Sequence, residues 1–185
     1  MEPRSLKLQV FVSGTWKAEK ALPFKEEALF LGQKLARSGV DVACGPGTGI
    51  ARHIIDGYRS IQERGKIRYY LPLSSEMEAV GEAVEEGADE IIETDFDYPI
   101  RNVFQIKQCQ GLIVLTGGDG TLEEILPAVI DYQMPVAILE DAGSAARALR
   151  ALLQIYPEWS ELILFSNSVE AVVDEWLRRV LDKDS

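Results

Sequence analysis

Apolar positions along this chain switch repeatedly between a period of two and a helical period, and the switching sets the expected fold. Residues 6–12 alternate and close in a β-branched, aromatic run before the tight loop Ser13-Gly14-Thr15, which predicts a first strand. Phe24, Ala28, Leu31 and Leu35 recur at helical spacing, so a helix is expected over 24–37 with Gly39 as its C-cap. A second strand over 40–43 runs into Cys44-Gly45-Pro46-Gly47-Thr48-Gly49, and a helix over 50–64 follows, ended by Gly65. Residues 67–71 read as a third strand stopped by Pro72. An acidic helix over 75–86 carries Met77, Val80 and Val84 on one side, with Ser74 or Ser75 as N-cap.

A fourth strand is expected over 90–94. The turn from Asp95 ends at Pro99, which suits a helix's first positions, and Ile100, Val103, Phe104 and Ile106 carry that helix to about Gln110. A fifth strand over 111–115 meets Gly117-Gly118-Asp119-Gly120 and restarts as a helix over 121–131. A sixth strand (136–139), an Ala/Leu-rich helix (145–155) and a seventh strand (162–165) complete the alternation. Ser166-Asn167-Ser168 then caps a last amphipathic helix ending near Val180, with 182–185 as a frayed tail. Strict alternation of strands and helices predicts an α/β fold with a doubly wound, parallel sheet of about seven strands. With no linker, repeat or low-complexity segment, residues 1–185 read as a single domain.

Composition narrows the function classes. The 30 acidic residues outnumber the 19 Lys and Arg, and a net charge of −11 excludes an electrostatic nucleic-acid or acidic-membrane binder. A single small anion can still be held by backbone amides and one Arg. Cys44 and Cys109 form no C-x-x-C and read as small buried thiols of a reducing compartment. His53 is the only histidine, which argues against a His-based zinc site and a Ser-His-Asp triad. No signal segment or membrane-spanning stretch is visible, so a cytoplasmic protein is expected.

Candidate chemistry gathers on three glycine loops that follow strands and so open at one sheet edge: Ser13-Gly14, the stretch with Gly45, Gly47 and Gly49, and the stretch with Gly117, Gly118, Gly120 and Thr121. Where a buried strand stops at glycines and restarts as a helix, free N–H groups and the helix dipole suit a phosphate. The second loop has G-x-G-x-G spacing, not the dinucleotide G-x-G-x-x-G, and neither it nor the third loop is followed by the Lys-Ser/Thr pair of a nucleoside-triphosphate loop. A site for a mononucleotide-sized phosphate ester remains.

Two side chains stand beside these loops. Arg101 starts a helix, where a cation opposes the dipole, so it either pairs with Asp95 or Asp97 or is reserved for an anionic ligand. Thr121-Leu122-Glu123-Glu124 is a well-formed capping box, which leaves Glu124 as either a helix cap or a catalytic carboxylate. Asp119 is expected to point to solvent, since a carboxylate aimed at a phosphate would oppose binding.

Arg101-Asn102, a helix, and then Gly111 to Glu124 together resemble the P-G-G-x-G-T-x-x-E signature of the LONELY GUY (LOG) proteins, long labelled possible lysine decarboxylases. The resemblance runs from the first strand to the helix after the motif. It implies a Rossmann-like nucleotide-binding fold, a homodimer, and cleavage of the N-glycosidic bond of AMP or a cytokinin nucleotide to free base and ribose 5-phosphate. It also implies Arg101 and Glu124 as the catalytic pair, with no metal or cofactor. Two departures, Thr116 for the motif's Pro and Asn102 for the usual Lys, resemble the broader bacterial and archaeal branch that includes molybdenum-cofactor carrier proteins. A non-catalytic nucleotide or pterin-phosphate carrier is therefore the competing expectation. Lysine decarboxylation would need a Schiff-base lysine, and Lys107, the lysine near the motif, has no pyridoxal-type sequence around it.

Overall fold

A computed structural model describes residues 8–140 and 143–183. Seven strands form one sheet: β1 (Gln9–Gly14), β2 (Asp41–Cys44), β3 (Ile67–Leu71), β4 (Glu90–Glu93), β5 (Leu112–Thr116), β6 (Val136–Leu139) and β7 (Ile163–Ser166). Every pairing is parallel, and the order is β4-β3-β2-β1-β5-β6-β7. The chain therefore winds outward from β1 to β4, returns to lay β5 beside β1, and winds out the other way. This is a doubly wound, Rossmann-like sheet whose order reverses between β1 and β5.

Helices cover the two faces. On one, α2 (Lys25–Arg37) packs on α3 (Ile50–Arg59) and on α8 (Val169–Lys183); on the other, α6 (Asp119–Ile130) packs on α5 (Tyr98–Lys107) and on α7 (Ser144–Ile155). The α2–α3 contact is backbone-close because of two glycines. A Cβ on Gly32 would stand 1.9 Å from the Ile54 carbonyl oxygen, and one on Gly57 2.1 Å from that of Leu29. The inner strands are buried on both faces, as a parallel sheet demands, with Phe11, Tyr69 and Leu112 in the core and Trp176 sealing α8, whereas the edge strand β4 leaves Ile91 54% exposed.

Several boundaries depart from the periodic reading, each for a local reason. Ser13 and Gly14 belong to β1, not to a loop; the register slips between them and Gly14 pairs with Thr116. The expected start of that strand at residues 6 and 7 lies outside the described residues, and the helical turns at Ala18–Ala21 (α1) and Leu22–Phe24 were not anticipated. The α3 helix stops at Arg59 rather than residue 64, where the Ser60 hydroxyl bonds back to the Gly57 carbonyl at 2.6 Å. Helix α4 (Ser74–Val80) also ends early, because Gly81 turns left-handed at φ 70°, and neither serine caps it. Residues 82–86 thus leave the helix.

Helix α6 begins at Asp119, two residues before the expected start. Gly118 is its N-cap, so Thr121 lies inside the first turn and the capping box does not form. Helix α8 runs to Lys183, past the expected end, with an Arg178–Asp182 pair at 2.9 Å, and Ser168 accepts from Ala171 N at 3.4 Å as expected of its cap. No helix among the described residues is long and apolar enough to cross a membrane.

Candidate functional site

The reversal between β1 and β5 opens at the carboxyl ends of the strands into a cavity of about 700 Å³. Its walls come from the stretch after β1, the loop after β2, the loop after β5 with the start of α6, the first turns of α5 and α7, and the segment around Glu82. Of the residues the sequence singles out, Gly14, Gly45, Gly47, Arg101, Asn102, Gly117, Gly118, Gly120, Thr121 and Glu124 line it. Two do not. Ser13 lies behind the wall, 2% exposed, and Gly49 turns away at φ 58° to pack against the stretch after β1.

The glycine loop after β5 leads directly into the first turn of α6. Gly118 caps α6 without any side-chain bond, so no cap occupies the first-turn N–H groups, which lack intrahelical acceptors and form the positive end of the helix dipole. Gly117 is required for close packing, since a Cβ there would fall 2.0 Å from Thr121 Oγ1. Asp119 is exposed, as expected, yet it also lines the cavity, together with Glu123. The loop after β2 makes room for another group: a Cβ on Gly45 would stand 3.0 Å from Arg101 Nη1.

Arg101 is 5% exposed, on the first turns of α5. Asp97 caps that helix by accepting from Ile100 N at 2.9 Å. Neither Asp97 nor Asp95 is an ion-pair partner of Arg101; Nη1 donates to Gln105 Oε1 at 3.0 Å, and Nε has no partner among the described residues. Its guanidinium lies 5.4 Å from the centroid of the Tyr98 ring. Burial pulls its pKa down, opposed chiefly by the charge of Glu124, yet an arginine stays protonated. Beside it, Asn102 is also buried and its Oδ1 lacks a partner among the described residues.

Glu124, one turn into α6, accepts a hydrogen bond from the Ser13 hydroxyl at the end of β1. It is not a helix cap. Burial is the main cause that raises its carboxyl to about 7, while Ser13 and the Arg101 charge pull the other way. A carboxyl that titrates near neutrality, faces a cavity and sits within electrostatic reach of a buried guanidinium can exchange a proton at physiological pH.

The cavity also holds groups the sequence did not announce. Glu82 accepts from the Thr48 hydroxyl and, at 2.6 Å, from the Tyr98 hydroxyl, so a carboxylate is tied to the aromatic ring beside Arg101. The expected helix through residue 86 hid it; Gly81 as a helix stop was the available signal. Trp16, Lys17, Lys20 and Ser144 also line the cavity. Both cysteines are buried and unpaired, and burial pushes their thiols up, Cys109 to about 12. Among the described residues no group of three or more His, Cys, Asp or Glu could hold a metal ion.

A model of the SLOG cluster4 family matches residues 7–172. Among solved structures, the molybdenum cofactor carrier protein of Chlamydomonas reinhardtii is similar at 19% identity and TM-score 0.75, over 95% of this chain and 99% of that one. The molybdenum cofactor binding protein of Rippkaea orientalis is similar at 19% identity and TM-score 0.71, over 96% and 99%. DNA processing protein A of Helicobacter pylori shares the fold at 15% identity and TM-score 0.60, over 92% and 80%. At these identities the likeness speaks for the fold. No curated protein matches significantly in sequence.

Proposed function

We propose that this chain, which belongs to the SLOG cluster4 family, binds a nucleoside 5′-monophosphate at the β1/β5 edge and hydrolyses its N-glycosidic bond. The observation that carries the reading is Glu124: its carboxyl lies in the cavity, bonded to Ser13 and raised to about 7, instead of capping α6. The 5′-phosphate docks on the N–H groups of Gly118 to Thr121, assisted by the Arg101 guanidinium. Glu124 faces the anomeric carbon, where it steadies developing oxocarbenium charge and takes a proton from the attacking water. The water oxygen bonds to that carbon as the bond to the base nitrogen breaks; the electron pair leaves with the base nitrogen, which takes up the proton held by Glu124. Free base and ribose 5-phosphate result. Incubating the protein with AMP and separating the products tests this, adenine release being expected.

A second reading, a non-catalytic carrier of a nucleotide or pterin phosphate such as molybdenum cofactor, draws support from the names of the similar structures and from Thr116 and Asn102. The unpartnered amide oxygen of Asn102 suits a heterocycle's N–H donors. Thermal stabilisation by ligand without any turnover would favour it. Under either reading the partner is a small phosphate ester, and two copies of the chain assemble as a homodimer in the cytoplasm.

A further inference from the structure

At the mouth of the cavity the backbone after β1 is clamped from two sides. Thr15 N donates to the Thr116 carbonyl oxygen at 3.0 Å, and the Thr15 carbonyl oxygen accepts from Ile50 N, the first residue of α3, at 2.9 Å. Gly49 permits this closeness, since a Cβ there would stand 2.4 Å from the Trp16 carbonyl carbon. A backbone held this firmly presents the Trp16 side chain at a defined place, and that side chain is 47% exposed on the cavity rim. A single exposed tryptophan is unremarkable on a protein surface. One clamped at the rim of a phosphate-binding cavity is a π-face offered to whatever enters. Lys17, with Nζ 5.7 Å from the indole centroid, and Lys20 line the same rim. The cavity is lined by Glu82, Asp119, Glu123 and Glu124 as well, so these two lysines supply local cations beside Trp16 in an otherwise acidic lining.

We propose that Trp16 is the stacking platform for the ligand's aromatic heterocycle, so that the site selects phosphates carrying a flat base over sugar phosphates alone. The inference rests on the nucleotide reading above and adds the element that recognises the base. It divides the work within the cavity: the α6 N-terminus and Arg101 hold the phosphate, and Trp16 holds the ring. Purines, with the larger face, bind more tightly than pyrimidines.

Calorimetric titration of AMP and of ribose 5-phosphate tests the assignment, with Trp16→Ala and Trp16→Phe each placed in a Glu124→Gln background and that background serving as the wild-type reference at position 16, so that AMP is not consumed. Trp16→Ala is expected to weaken AMP about tenfold, within the range of base–aromatic stacking, and to leave ribose 5-phosphate unchanged. Trp16→Phe should recover most of the loss. Equal AMP affinity in Trp16→Ala and the reference overturns the platform, as does an equal loss for AMP and ribose 5-phosphate. If wild type binds no nucleoside 5′-monophosphate at all, the nucleotide reading itself fails, an outcome separate from the first two.

Discussion

The Ser13 hydroxyl at the end of β1 donates to the carboxylate of Glu124 in α6, across the line where the strand order reverses. The bond ties the central strand to the helix that follows the glycine loop, and it opposes the upward push that burial exerts on Glu124. Removing it in Ser13→Ala therefore raises the Glu124 pKa further. The acid limb of kcat/KM for AMP, centred near pH 7 in wild type, should move to higher pH in the variant. An unchanged limb would mean that Glu124 is not the group that must ionise.

Glu124 also marks stability. Its folded value of about 7 lies above the ordinary carboxylate value of about 4.3. Below both values it is protonated in either state and contributes no pH dependence. Between them the folded chain keeps a proton that the unfolded chain releases, so stability falls as pH rises towards 7, by about 4 kcal/mol in all from this group. Glu124→Gln lacks that component. Urea unfolding at pH 5 and pH 8 should show the variant gaining on wild type by roughly 2–3 kcal/mol, the part of the loss that falls between these two values, whereas parallel pH profiles would contradict the raised value.

Gly45→Ala tests the seating of Arg101. The added methyl would stand 3.0 Å from Nη1, at the far end of a side chain rather than backbone, so the fold should tolerate it with a small change in Tm. The guanidinium must shift, and AMP cleavage should fall about tenfold from that displacement. Undiminished cleavage would remove Arg101 from the account.

Gly120→Ala separates folding from binding at the glycine loop. Nothing lies within 4 Å of a Cβ there, and the residue is already helical, so the change should raise stability by up to about 1 kcal/mol. A phosphate resting on the first turn of α6 would meet the new methyl, and AMP affinity should drop. A variant both more stable and equally avid would put the phosphate elsewhere.

Much of this molecule was legible in the chain because buried parallel strands are short apolar runs bounded by Gly and Pro, as at Ile67–Leu71 and Val136–Leu139. The expected edge was also legible, since a strand that stops at glycines must open where strands end. Tertiary hydrogen bonds were not. Glu124 fits a capping box by local spacing, but α6 starts two residues early with Gly118 as its N-cap, and the carboxyl instead accepts from Ser13 on a strand distant in sequence. Glu82 was hidden by a helical period that continued past Gly81, where a left-handed turn ends the helix. Trp16 followed a loop signal and carried no periodicity of its own.

The central claim is that Glu124 acts on a bound nucleotide. Its most direct test is a single-turnover incubation of wild type and Glu124→Gln with AMP, with AMP affinity measured alongside. The account predicts adenine and ribose 5-phosphate from wild type, and a variant that binds AMP but cleaves it at least about a hundredfold more slowly. Wild type that binds AMP and releases no adenine, or a variant that cleaves as fast as wild type, would contradict it.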